Sequence, residues 1–126
     1  METLLIDNAY TELRIEDDVM HSIFKPNLTI NLEIAKSLVH ERLKLSNGED
    51  QLILFDISNL VSVDLEAIQY LSTEEAIKNI TAGAIYTTSP ISKFAGKLFI
   101  DMNRPKPPAK LFGNKADALA WLQQFR

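Results

Sequence analysis

Leu52-Ile53-Leu54-Phe55-Asp56, near the middle of the chain, joins four apolar residues without a polar break and ends them on an acid. A strand with one wet face alternates apolar and polar side chains, so an unbroken run predicts a strand covered on both faces. The run is read as the interior of a largely parallel sheet, with Asp56 at the carboxyl end of the strand. Upstream, Tyr10 to Ile15 and Val19 to Phe24 are rich in strand formers, with Asp17-Asp18 between them where a turn falls. They predict an antiparallel hairpin. Pro26 and Asn27 end that pattern. Asn31 then caps a helix whose apolar positions Leu32, Ala35, Leu38, Val39 and Leu43 recur at three-to-four spacing, and Ser46-Asn47-Gly48 stops it.

Downstream of the apolar run, a polar turn leads to Asp64, placed to cap a short helix carrying Leu65, Ile68 and Leu71. Ser72 and Glu75 have the spacing of a capping box for one more turn. Ala82 to Thr87 predicts a second buried strand, its Gly83 and Ala84 permitting close approach of whatever packs above. Ser89-Pro90 opens a long helix with the stripe Ile91, Phe94, Ala95, Leu98, Phe99 and Met102. Ile100 lies off that stripe, and the extra apolar breadth is read first as core packing alone, the alternative being cover on a second side by a ligand, a membrane surface or a second subunit. Pro105, Pro107 and Pro108 make an extended connector into a short strand near Lys110-Leu111-Phe112. Gly113-Asn114 then starts a final helix with Ala118, Trp121, Leu122 and Phe125 on one face. The order β-β-α-β-α-β-α-β-α predicts one α/β domain over residues 1–126. Its mixed sheet has about five strands, an N-terminal antiparallel hairpin and helices packed on it, with the inner strands parallel because crossover connections join them.

Composition narrows the function classes. The 126 residues are 46% hydrophobic and 24% charged, an ordinary globular balance large enough for one core without staples. The net charge of -4 opposes nucleic acid as a partner. The absence of cysteine removes disulfides, thiolate nucleophiles and cysteine zinc sites, and fits a reducing compartment. The apolar run Leu4-Leu5-Ile6 is far shorter than a signal-peptide core, and no later run has the length of a membrane span, so a cytoplasmic location is expected.

The stretch from Leu52 to Ile68, together with the element order, resembles the STAS domain of anti-sigma-factor antagonists and its SpoIIAA-like relatives. In that family a hydrophobic strand ends in Asp-Leu-Ser and a loop leads to Asp-Ser-Ser-Gly-Leu at a helix start. Here Asp56-Ile57-Ser58 matches the first element, and Asp64 and Ile68 match the ends of the second. Phe112 before a helix containing Ala118-Leu119-Ala120-Trp121-Leu122 is similar to bacterial members of the superfamily. The resemblance implies a SpoIIAA-like mixed sheet and a regulatory, protein-binding role. It departs at one point that matters: Leu65 and Glu66 stand where the family carries the serine or threonine that a partner kinase phosphorylates. Neither accepts phosphate, so the resemblance implies no phosphorylation switch at that place. Glu66 either supplies part of a phosphoserine's charge or simply favours the positive end of a helix.

Asp56, Ser58, Asp64 and Glu66 are the candidate partner-binding residues, because open α/β sheets place crevices beyond the carboxyl ends of their strands. The plainer reading of the acids is that they satisfy backbone donors at strand ends and caps. Ser89, Lys93 and Lys97 are candidate anion-binding residues: a helix N-terminus attracts negative charge, and Lys93, Lys97, Arg104, Lys106 and Lys110 stand against Asp101 in a locally basic stretch. Lysines that merely solvate a helix face are the plainer alternative. His21 and His40 belong to no ligand-spaced motif, and no Gly-x-Ser-x-Gly elbow or glycine-rich phosphate loop is present. No catalytic residue, metal or cofactor is expected. The sequence therefore predicts a non-enzymatic regulatory or protein-interaction module, engaging a protein partner or itself through Ser58 to Leu71. The alternative is a module holding a small apolar or anionic, lipid-like ligand between the long helix and the sheet, since SpoIIAA-like folds are related in outline to lipid-transfer domains.

Overall fold

The computed structural model describes residues 4–103 and 106–126, so Arg104 of the basic stretch and Pro105 of the connector lie outside the described residues. The strands are β1 (Leu4–Asp7), β2 (Thr11–Glu16), β3 (Val19–Phe24), β4 (Leu28–Ile30), β5 (Gln51–Asp56), β6 (Leu60–Val63), β7 (Ile80–Tyr86) and β8 (Ala109–Phe112). The helices are α1 (Leu32–Ser46), α2 (Leu65–Tyr70), α3 (Glu74–Ile77), α4 (Pro90–Asn103) and α5 (Lys115–Leu122), the last running into a 3-10 turn at Gln123–Phe125. The main sheet has the order β1-β2-β3-β5-β7-β8, and β4 and β6 form a separate two-stranded parallel ribbon.

The strand β5 lies in the interior, parallel to β3 on one side and to β7 on the other. Both of its faces are covered, which is why Leu52, Ile53 and Leu54 are all buried. On one face Phe24, Ile30, Ala35, Ile57, Leu60, Ala67, Ile85 and Ala95 join the sheet to α1, α2 and α4. On the other, Val19, Leu52, Leu54, Ala82 and Ala84 pack against Ala118 and Leu122 of α5. Trp121 sits beside them, its ring centroid 5.7 Å from that of Phe112 and 4.8 Å from that of Phe125.

Local chemistry accounts for most boundaries. Asp17 and Asp18 take φ of 53° and 64°, the two left-handed residues that a two-residue hairpin turn matching strand twist requires. The Asn31 side chain accepts the Ile34 N–H at 2.8 Å, and Asn47 ends α1 in the left-handed region. The cap of α3 falls one residue later than the spacing of Ser72 and Glu75 predicts. Thr73 accepts the Ala76 N–H at 3.3 Å, because the Ser72 hydroxyl donates to Gln69 O at the end of α2 and the Glu75 carboxylate accepts from the Tyr70 hydroxyl. Gly83 does allow a close approach, but the approaching group is the Phe55 ring of the neighbouring strand, 3.1 Å from where a Cβ would stand.

Two features depart further from the sequence reading. The strand β1 extends the hairpin to three antiparallel strands, and the ribbon of β4 and β6 replaces what reads as turn and loop. More consequential is the rotation of α4. The stripe Ile91, Phe94, Ala95, Leu98, Phe99 and Met102 faces inward only in part: Ala95 is buried and Phe99 packs on the core, but Ile91 is 67% and Phe94 71% exposed, while Ser92 and Gly96 beside the stripe are buried. Small residues take the inward positions of the first two turns because the helix lies so close to the sheet there that a Cβ on Gly96 would stand 3.1 Å from Leu111 and 3.2 Å from Ile57.

Candidate functional site

The parallel strands β5 and β7 end side by side, and the loops that follow them are stitched together by hydroxyl and carboxylate oxygens. Asp56 Oδ1 accepts the Ser58 N–H at 3.1 Å, and Leu60 N donates to Ile57 O at 2.9 Å, closing a tight turn before β6. Ser58 Oγ accepts the Thr88 N–H at 3.3 Å, which ties this turn to the start of α4. There Thr87 Oγ1 accepts the Ser89 N–H at 2.9 Å and shares a hydrogen bond with the fully buried Ser92 hydroxyl. Ser89 caps α4, its Oγ accepting from Ser92 N at 3.5 Å and its carbonyl from Lys93 N at 3.0 Å. The N–H groups of Thr88, Ser89, Ser92 and Lys93 thus already have acceptors in the chain itself. Lys93 and Lys97 extend from α4 into solvent.

The structure divides the four acidic-loop candidates into two pairs. Asp56 and Ser58 are half-buried and hydrogen-bonded to one another. Asp64 and Glu66 are exposed beyond the far end of β6, about 13 Å along that strand from Leu60. The single acidic patch implied by a short polar turn is therefore not formed, because Leu60–Val63 is an extended strand that carries Asp64 away to β4. At that end Asp64 N donates to Ile30 O at 2.8 Å, and its carboxylate, though in the N-cap position of α2, makes no cap hydrogen bond.

Val61 is 45% exposed on β6 and Leu65 53% exposed at the start of α2, and both elements pack against α4, which presents Ile91 and Phe94. Sequence reasoning placed Ile91 and Phe94 in the core stripe and so missed them as surface residues.

A second group that the sequence reading passed over lies inside. Arg42 is only 4% exposed, on the same inward face of α1 as Ala35, Val39 and Ser46. The signal was there, since Arg42 follows Val39 by three residues on the apolar stripe. Its guanidinium donates to Lys78 O at 2.9 Å and Ala76 O at 2.7 Å, and burial lowers its pKa from 12.5 to about 10, which leaves it charged near neutrality. His21 is also buried, on the α5 side of the sheet, and its pKa lies below the ordinary value, first because of burial and then because of Lys115 and Arg14. Among the described residues no group of three or more His, Cys, Asp or Glu side chains is arranged to hold a metal ion, and no helix is long and apolar enough to cross a membrane.

A family model described as a domain of unknown function, DUF7793, matches residues 13–126. No curated protein matches the chain in sequence. Among solved structures, the chain is similar to an uncharacterised protein of the DUF3478 family with a SpoIIAA-like fold from Shewanella loihica PV-4. The two share 16% sequence identity, with 96% of this chain and 92% of that chain covered and a TM-score of 0.54. At that identity the likeness speaks to architecture: the chain has a SpoIIAA-like fold, as its resemblance to that superfamily implies.

Proposed function

The chain belongs to the DUF7793 family of domains of unknown function, and from that premise we propose that it is a non-enzymatic protein-interaction module of STAS-like type. Its docking face is the outer side of α4 together with the exposed parts of β6 and α2. The observation that carries this reading is the exposure of Phe94 at 71% and Ile91 at 67% on neighbouring turns of one helix. Water is a poor environment for such side chains, and an apolar centre rimmed by charge is the usual anatomy of a protein interface. Val61 and Leu65 enlarge the apolar centre, while Asp64, Glu66, Lys93 and Lys97 supply rim charges of both signs. Asp56 and Ser58 act behind this face, holding the turn before β6 against the start of α4. With Leu65 and Glu66 at the start of α2, engagement is not switched by phosphate at that position.

A photo-crosslinking residue in place of Phe94 tests the reading in cells. It should join the chain to one discrete protein partner or to a second copy of the chain, and Ile91→Asp in the same chain should abolish the product. A crosslinker in place of His40, exposed on α1, is the control. Products that do not differ between the two positions would refute the docking face.

A further inference from the structure

Between the sheet and the helices α1, α3 and α4 lies a cavity of about 150 Å³. Its walls are mostly hydrocarbon, with Leu13, Phe24, Phe55 and Ile85 from the sheet, and two polar side chains among them have unusual circumstances. Arg42 lines the cavity as a buried cation that, among the described residues, has no carboxylate within ion-pair distance. Its two terminal nitrogens each donate to a backbone carbonyl, and no carboxylate faces the positive charge. Thr11 also lines the cavity, is fully buried, and its hydroxyl has no hydrogen-bond partner. Buried polar groups ordinarily find partners, and a buried charge ordinarily finds an opposite one. Arg42 lacks an opposite charge where the cavity meets the amino edge of the sheet, and Thr11, paired with Phe24, lacks a partner at the carboxyl edge.

We propose that this cavity binds a small monocarboxylate with an apolar tail of about six carbons, its carboxylate accepting from Arg42 and its tail lying among the sheet's apolar side chains. The size follows from the volume, since an apolar cavity of about 150 Å³ takes a molecule the size of benzene. The charge follows from Arg42, and the apolar tail from the walls. Pro108 is exposed and also lines the cavity, so the ligand enters beside the connector to β8. The site is separate from the α4 docking face and does not depend on it.

Titration calorimetry of the full chain with octanoate and with octan-1-ol, accompanied by amide chemical-shift mapping, tests the proposal. Octanoate should bind about tenfold or more tightly than the alcohol and shift residues of α1 and β2, and Arg42→Gln should remove that preference. Ala109→Leu, which fills the cavity from β8 and leaves Arg42 untouched, should abolish octanoate binding, and this variant decides the matter if Arg42→Gln does not fold. The proposal is overturned if octanoate does not bind the wild-type chain at millimolar concentration, if acid and alcohol bind equally, or if Ala109→Leu binds octanoate as the wild type does.

Discussion

Phe94→Asp distinguishes two ways of seating α4. If the hydropathic stripe faced the sheet, Phe94 would be a core residue, and replacing it with a carboxylate would remove a large buried side chain and bury a charge. Removing a core phenylalanine alone costs about 3–5 kcal/mol, enough to unfold many domains of this size. In the observed seating Phe94 is 71% exposed. Burying a phenylalanine fully is worth up to about 3 kcal/mol, and less than a third of that surface is covered, so the loss is about 1 kcal/mol at most. Urea denaturation followed by the fluorescence of Trp121 is a suitable assay, because Trp121 is the single tryptophan and packs with Phe112 and Phe125 on the opposite side of the sheet. The midpoint should move only slightly. A loss of about 3 kcal/mol or more would mean that Phe94 belongs to the core, and the docking face would go with it.

Two further substitutions probe the core and its charge state. Leu54→Ala removes a side chain that is 1% exposed at the centre of β5 and should cost about 2–5 kcal/mol, whereas Val61→Ala on the exposed side of β6 should stay within about 0.5 kcal/mol; equal losses would contradict the assigned faces. His21, with its folded pKa lowered by burial and by Lys115 and Arg14, stays neutral where the unfolded chain takes up a proton. Its contribution to stability is therefore full above about pH 6.5 and declines as the pH falls below that value. His21→Gln should flatten the fall in urea midpoint between about pH 7 and pH 5, and a variant with the wild-type slope would show that His21 is not its source.

The candidate site was legible in part for reasons that differ from residue to residue. Asp56 and Ser58 could be placed because they directly follow an unmistakable strand, and the loop beyond a parallel strand must emerge at the sheet's carboxyl edge. Asp64 and Glu66 were assigned to that same edge because Leu60–Val63 is too short for its alternation to be told from a turn. Only its pairing with Leu28–Ile30, thirty residues away, makes it a strand and moves the two acids elsewhere. Arg42 was passed over because a basic residue on an apolar stripe usually extends its charged end to solvent. Here the carbonyls of Ala76 and Lys78 close over it from a segment more than thirty residues downstream.

By itself, the order of residues determined that Leu52 to Phe55 lies inside the sheet, that a hairpin precedes it and that helices alternate with strands after it. Those features rest on runs, caps and turn residues whose energetics are local, such as the Asn31 cap and the left-handed pair Asp17-Asp18. Tertiary structure alone decided which side of α4 meets the sheet and which buried cation lines the cavity. Hydropathy counts apolar groups without regard to the room available. The first turns of α4 meet the sheet through Ser92, Ala95 and Gly96, so the larger Ile91 and Phe94 are left facing water.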